Sequence, residues 1–285
     1  MIIYDRKTKE TMQEKVYEDR AMRFLYNTTI GGLCVLFLRL PVVSKIYGLF
    51  QKSRRSKANI NKFIHDYNID MSGFGHDFKS FNDFIIRKRP RAEFSTERSF
   101  LIAPADSCVL AYTVTNDGKF SIKGKTYALA KFLKDKKLAQ DYDGGAFLIF
   151  RLRVYDYHRF CFIDDGVILS HKRAGGFLDS VNMSATGRFA LSSNRREISI
   201  LRTVNFDDVV FAEVGAMLVG RIVQTRGKTD FNKGDEKGYF EFGGSSIVLL
   251  LKKDIVKIDG DILAYSAKGI ETKVSLGERI GEKRV

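Results

Sequence analysis

Two rhythms of apolar and polar residues divide the chain. Up to about residue 90, apolar positions recur at helical spacing. Examples are Lys62-Phe63-Ile64-His65-Asp66-Tyr67 and Phe78-Lys79-Ser80-Phe81-Asn82-Asp83-Phe84-Ile85-Ile86. Arg89-Pro90 closes this part, because the residue before a proline leaves helical backbone. From Phe100 the rhythm changes to short β-rich runs punctuated by Gly, Asp and Asn. Such runs are Ser107–Thr113, Gly145–Leu152, Asp208–Val214, Met217–Val223 and Ile247–Leu251. The pattern predicts an α+β chain: a mainly helical part over 1–90 and a strand-rich domain over 91–285. With three prolines in 285 residues, no Pro-rich linker separates the two parts.

The most apolar run, Ile30–Leu38, lies in the helical part. The uncharged stretch around it, Phe24–Leu38, is 15 residues, short of the roughly 20 that a spanning helix needs. Asp5, Glu10 and Asp19 precede it, which argues against a secretory signal. Charge sharpens the picture. The chain carries a formal +14, and no acidic residue falls between Asp19 and Asp66. That interval holds Arg20, Arg23, Arg39, Lys45, Lys52, Arg54, Arg55, Lys57 and Lys62. An apolar run flanked by cations suits a segment lying in a membrane interface. The competing reading is a core helix followed by a solvated basic one. A nucleic-acid partner is not expected, since no recognition signature accompanies the charge.

Candidate chemistry is sparse. Cys34, Cys108 and Cys161 make no disulfide framework, so a reducing compartment is expected. The histidines are His65, His76, His158 and His171; none pair at zinc-ligand spacing, and no metal is expected. No glycine-rich phosphate cradle occurs. One segment does stand out: Lys233-Gly234-Asp235-Glu236-Lys237-Gly238-Tyr239-Phe240-Glu241-Phe242 leads into Gly243-Gly244-Ser245-Ser246. Read alone, it is a small turn between two strands.

It does not stand alone. Phe81-Asn82-Asp83-Phe84, Ala103-Pro104-Ala105-Asp106, Asp156-Tyr157-His158-Arg159-Phe160 and Val214-Gly215-Ala216 precede it in order. Together these blocks resemble the phosphatidylserine decarboxylase family over nearly the whole chain. The resemblance implies a self-cleaving proenzyme. Ser245 attacks the carbonyl of Gly244, the amide becomes an ester, and elimination splits the chain into residues 1–244 and 245–285. The two chains stay associated. Ser245 becomes a covalent pyruvoyl group, the only cofactor, which forms a Schiff base with phosphatidylserine and serves as electron sink during its decarboxylation to phosphatidylethanolamine.

By the same resemblance Asp106 is the acid of an Asp-His-Ser arrangement, and His158 serves the later decarboxylation and protonation steps; the alternative that His158 itself reaches Ser245 as the base of the cut stays open. The family's Tyr-His-Arg-x-His block ends here in Cys161, which occupies the seat of the expected base. A thiol with a pKa near 8.5 is a poorer match to that role than imidazole. Ser107 for Gly and Ser246 for Thr are milder departures. Two alternatives stay open: an uncleaved lipid-binding relative, and a pyruvoyl decarboxylase of a soluble amino acid. The expected location is the cytoplasmic side of the cell membrane, held peripherally by anionic phospholipid, with a homo-oligomer left open. Cys108 and Cys161 lie in blocks that converge on one site, so they are either neighbours near Asp106 or simply two small buried residues. Arg196 is expected to be structural, through an ion pair; Arg159 is either structural or an anion ligand.

Overall fold

The computed structural model describes residues 1–15, 24–89, 94–95, 97–122, 125–178, 190–216, 221–225, 227–242 and 245–284. The strands are β1 (Ile2–Asp5), β2 (Glu10–Gln13), β3 (Phe100–Ile102), β4 (Ser107–Thr113), β5 (Lys119–Ile122) and β6 (Lys125–Ala128). There follow β7 (Ala146–Leu152), β8 (Arg159–Cys161), β9 (Gly166–Ala174), β10 (Arg196–Thr203), β11 (Asp208–Gly215) and β12 (Ile222–Gln224). The last are β13 (Asp230–Phe231), β14 (Glu236–Phe240), β15 (Ser245–Leu251), β16 (Val256–Ile258), β17 (Glu271–Val274) and β18 (Arg279–Lys283). Helices α1 (Thr29–Leu38), α2 (Pro41–Gln51), α3 (Ile60–Tyr67) and α4 (Phe81–Ile85) precede the strand-rich region; α5 (Leu129–Leu133), α6 (Lys136–Gln140) and α7 (Gly260–Ala267) lie within it.

Ten strands form one sheet in the order β13-β9-β10-β11-β15-β7-β4-β17-β1-β2. Every pairing in it is antiparallel except β1 with β17. Near its centre, all seven residues of β15 are buried. A strand covered on both faces reads as a continuous apolar run, and Ile247–Leu251 does so. Ile247, Leu249 and Leu251 enter one core with Phe150, Phe160 and Phe211. Val248 and Leu250 enter another with Ile149, Phe147 and Ala212. A second sheet, β12-β14-β8, contributes Phe160 and Phe240 to the first core.

The helical expectation holds for α1 to α4 but not for the amino terminus, where β1 and β2 form a hairpin on the edge of the large sheet. Four-residue strands leave too short a period to be read, and β1 gains its pairing from β17, some 270 residues away. Tyr4 stacks on Tyr265 of α7, with ring centroids 3.9 Å apart. Just after the hairpin, Glu14 grips Arg151 of β7 through two bonds of 3.0 and 2.9 Å, and Glu271 of β17 accepts from the same guanidinium at 2.6 and 2.8 Å. All three side chains are buried.

Helices α3 and α4 form a third apolar cluster, in which Phe63, Phe81 and Phe84 surround Phe242. Ser80 caps α4 by accepting from the Asp83 N–H at 3.2 Å, and Asp83 accepts from the Lys79 N–H at 2.9 Å. No single described helix is long and apolar enough to cross a membrane.

Breaking the buried triad tests how the hairpin closes the sheet. Arg151→Met leaves Glu14 and Glu271 as buried unpaired charges, at a cost of about 3–5 kcal/mol. A lowered urea midpoint is expected; an unchanged midpoint contradicts this account.

Candidate active site

Ser245 is the first residue of β15, not part of a loop. Its Cα partners are Gly215 on β11 and Leu152 on β7. The residue is fully buried, and its Oγ has no hydrogen-bond partner among the described residues. Alternation along β15 points Ser245 into the core that holds Ile247 and Leu249, and Ser246 to the opposite face. Gly243 and Gly244, the latter half of the expected cleavage pair, lie outside the described residues. So do Val181, Asn182 and Met217–Gly220.

The segment leading into Ser245 is held from the helical part. Asn82 of α4 accepts from the Phe242 N–H at 3.1 Å, Lys52 pairs with Glu241 at 2.8 Å, and Tyr47 of α2 lies 5.5 Å from the Phe242 ring. The Phe-Asn-Asp-Phe block thus does two jobs. Its rings build the helical cluster, and its carboxamide fixes backbone three residues before Ser245.

His158 is reached by a tight turn that starts directly after Leu152. In it the Arg153 N–H donates to Asp156 Oδ2 at 2.7 Å, and the Arg153 guanidinium holds the same carboxylate at 2.7–3.1 Å. The His158 ring is fully buried, with Nδ1 2.9 Å from the Asp156 carbonyl. A carbonyl only accepts, so Nδ1 carries the proton and Nε2 is the basic nitrogen. The His158 carbonyl accepts from Phe240 at 2.9 Å, tying it to the strand that runs toward Ser245.

Asp106 ends the turn before β4. One carboxylate oxygen accepts from the Leu276 N–H at 2.7 Å and the other from the Arg89 guanidinium at 3.0 Å. Arg89 also lies over the Tyr157 ring, 4.8 Å from its centroid, and donates its backbone N–H to the Tyr157 hydroxyl at 3.0 Å. Cys161 donates its N–H to Pro104 at 2.9 Å, which joins β8 to the Asp106 turn. Burial pushes the Cys161 thiol well above its ordinary range, and the nearby Asp235 and Asp106 carboxylates push it further. A thiol so placed keeps its proton at neutral pH.

Cys108 and Cys161 are not neighbours across a shared site. Cys161 belongs to the first core. On β4, Val109 and Ala111 face that core, so Cys108 faces the other way, level with Arg151. Burial pushes the Cys108 thiol up to about 12. Both are small buried residues, Cys161 on the second sheet in the first core and Cys108 on the far face of the large sheet.

Arg196 is structural, though without the expected carboxylate. Its guanidinium donates to the carbonyls of Phe132, Ser192, Asn194 and Lys131, and burial lowers its pKa to about 10. Arg159 pairs with Glu236 at 2.9 Å and donates to Ile86, stitching β8 to β14 and to the helical part. Asp164 accepts twice from Asn205 and Asp165 accepts from the Lys233 N–H, as turn residues do.

Two contributors escaped sequence reasoning. Arg89, the partner of Asp106, was legible only as half of an Arg-Pro boundary. Glu213 and Lys237 form a buried ion pair between β11 and β14; a lone acid within Val-Val-Phe-Ala-Glu-Val is the signal for such a partner.

The phosphatidylserine decarboxylase family model matches residues 81–282. The phosphatidylserine decarboxylase proenzyme 2 of Clostridium acetobutylicum is 46% identical to the chain over 285 residues, covering 98% of each. The phosphatidylserine decarboxylase proenzyme of Clostridium botulinum is 42% identical over 291 residues, covering 99% of each. That of Ruminiclostridium cellulolyticum is 42% identical, over 98% of this chain and 96% of its own length. With the ordered blocks built around one strand end and similarity running from end to end, this chain belongs to the phosphatidylserine decarboxylase family.

Proposed function

We propose that the chain is a proenzyme that cuts itself between Gly244 and Ser245 and then decarboxylates phosphatidylserine to phosphatidylethanolamine at an anionic membrane. The observation that carries this reading is Ser245: a buried hydroxyl without a partner among the described residues, at the start of a central strand, where the family's nucleophile is expected. A buried hydroxyl left unpaired costs about 1–3 kcal/mol. Self-cleavage gives that cost a purpose.

In the cut, Ser245 Oγ bonds to the Gly244 carbonyl carbon and the C–N bond breaks, giving an ester. Loss of the residue-245 Cα proton then expels the Gly244 carboxylate. Hydrolysis of the resulting enamine releases ammonia and leaves the pyruvoyl group. The surroundings suit that group, since Leu152 and Ile247 are apolar and Gly215 presents no side chain. Held there, the group would supply the electron sink that decarboxylation of an amino acid requires.

The chain's own residues supply the rest. His158 carries protons at Nε2, its ring oriented by the Asp156 carbonyl. Asp106 organises the acidic turn through Arg89 and Leu276. Cys161 fills the seat of the family's second histidine as a protonated thiol.

The helical part supports docking on a membrane. Helices α1 and α2 meet at 80° and expose Ile30, Leu33, Phe37, Val42, Ile46 and Leu49. Lys45, Arg54, Arg55 and Lys57 are exposed in the same stretch. Apolar side chains entering the interface beside cations facing anionic headgroups is the pattern of a peripheral anchor. Because α2 and α4 also hold residues 241 and 242, the anchor and the cleavage segment form one block.

Purified protein is expected to decarboxylate phosphatidylserine in vesicles and leave free serine untouched, and Ser245→Ala is expected to abolish turnover. Equal turnover of free serine, or an active Ser245→Ala protein, contradicts the reading. Docking has its own test. Each cation near an anionic surface contributes about 1 kcal/mol, so reversing Arg54, Arg55 and Lys57 to Glu is expected to weaken vesicle binding by more than about a hundredfold while cleavage proceeds. Wild-type binding is expected to fall with added salt. Binding indifferent to both changes contradicts electrostatic docking.

A further inference from the structure

Lys237 and Glu213 face each other in the first core, and both side chains are closed to water. Lys237 is well provided for. Besides Glu213 it donates to Gln224 Oε1 at 3.0 Å and lies 4.9 Å from the centroid of the Phe211 ring. Glu213 is not: its Oε2 is buried and has no hydrogen-bond partner among the described residues. An ion pair kept only for stability gains nothing from a buried carboxylate oxygen without a donor.

The sheet shows what that oxygen faces. Along β11, Val209 and Phe211 point into the first core while Val210, Ala212 and Val214 point into the second. Glu213 and Gly215 continue the first set. Along β15, Ser245 continues Ile247, Leu249 and Leu251 on that same side. The register sets Gly215 opposite Ser245 and Glu213 opposite Ile247. Ser245 and Glu213 are therefore diagonal neighbours on one face, about 7–8 Å apart in such pairs and within reach of a long side chain. The residue directly opposite Ser245 is glycine, so no β11 side chain stands at that position. Both Ser245 Oγ and Glu213 Oε2 are buried and without a hydrogen-bond partner among the described residues. The thiol in the expected base seat, Cys161, holds its own proton.

We propose that Glu213, held by Lys237, takes the hydroxyl proton of Ser245 during self-cleavage. The proposal rests on Ser245 being the self-cleaving nucleophile. The Oγ–H bond breaks toward Glu213 Oε2, and the freed electron pair bonds to the Gly244 carbonyl carbon. When the C–N bond breaks, the proton passes from Glu213 to the departing nitrogen of residue 245. The acyl shift consumes nothing. Lys237 holds the other carboxylate oxygen and so fixes the orientation of the Glu213 side chain. His158 is thereby left to the decarboxylation steps.

The test follows cleavage of freshly translated full-length chains by denaturing electrophoresis, with circular dichroism and thermal melting to check the fold. Glu213→Gln keeps the shape, and the double variant Glu213→Met with Lys237→Met replaces the pair by apolar side chains of similar length. Both are expected to fold and to cleave roughly 10²–10⁴-fold more slowly than wild type. Adding Cys161→His, which puts a base on a different strand, is expected to restore cleavage. A folded double variant that cleaves at the wild-type rate overturns the proposal. If that variant does not fold, wild-type cleavage by Glu213→Gln overturns it equally. Variants that stay uncleaved after Cys161→His is added mark the loss as structural and overturn it too. A wild-type chain that never cleaves sinks the Ser245 reading and this proposal with it, whereas a cleaving wild type with an equally cleaving variant sinks Glu213 alone.

Discussion

The hydrogen-bonded register of β15 between β11 and β7 decides where every atom of the proposed chemistry stands. Side chains alternate across a sheet, so a slip of one residue would exchange Ser245 and Ser246 between its faces. The faces are not equivalent. One carries Gly215 and Glu213 and packs against the core that holds Cys161; the other carries Cys108 and the Arg151 triad. Register is held by residues with no part in the reaction. Ile247, Leu249 and Leu251 fill one core, Val248 and Leu250 the other, and no slipped alignment would satisfy both. The hydroxyl is placed by the hydrophobic effect acting several residues downstream of it.

The second constraint comes from the helical part, which grips the site on two sides. Asn82, Lys52 and Tyr47 hold residues 241 and 242, just ahead of the proposed scissile position. Arg89, at the end of the same part, holds Asp106 and Tyr157. These contacts make the exposed apolar helices and the segment before Ser245 a single packed unit.

Much of this was legible in the residues, for identifiable reasons. Long apolar runs announced β4, β7, β11 and β15, because strands buried on both faces have no polar alternation to confuse them. The spacing around Phe63, Phe81 and Phe84 announced the helical cluster. The β1–β2 hairpin was not legible: it is too short to show a period, and its pairing partner β17 lies at the far end of the chain. The site divided along the same line. Ser245, His158 and Asp106 stand in local blocks that can be recognised in order. Glu213–Lys237 and Arg89–Asp106 are pairings between segments distant in sequence, and only the closed sheet brings their members together. The suggestion that Cys108 and Cys161 meet failed because membership of converging blocks says nothing about which face of a strand a side chain takes.

The claim on which all else depends is that Ser245 is consumed in making the enzyme. Intact-mass analysis of the purified, denatured protein reads this directly. The account predicts two fragments, residues 1–244 and a smaller one beginning at position 245, whose amino terminus is a pyruvoyl group and resists sequential degradation. A single full-length chain, or a fragment that starts with an unmodified serine, would contradict it.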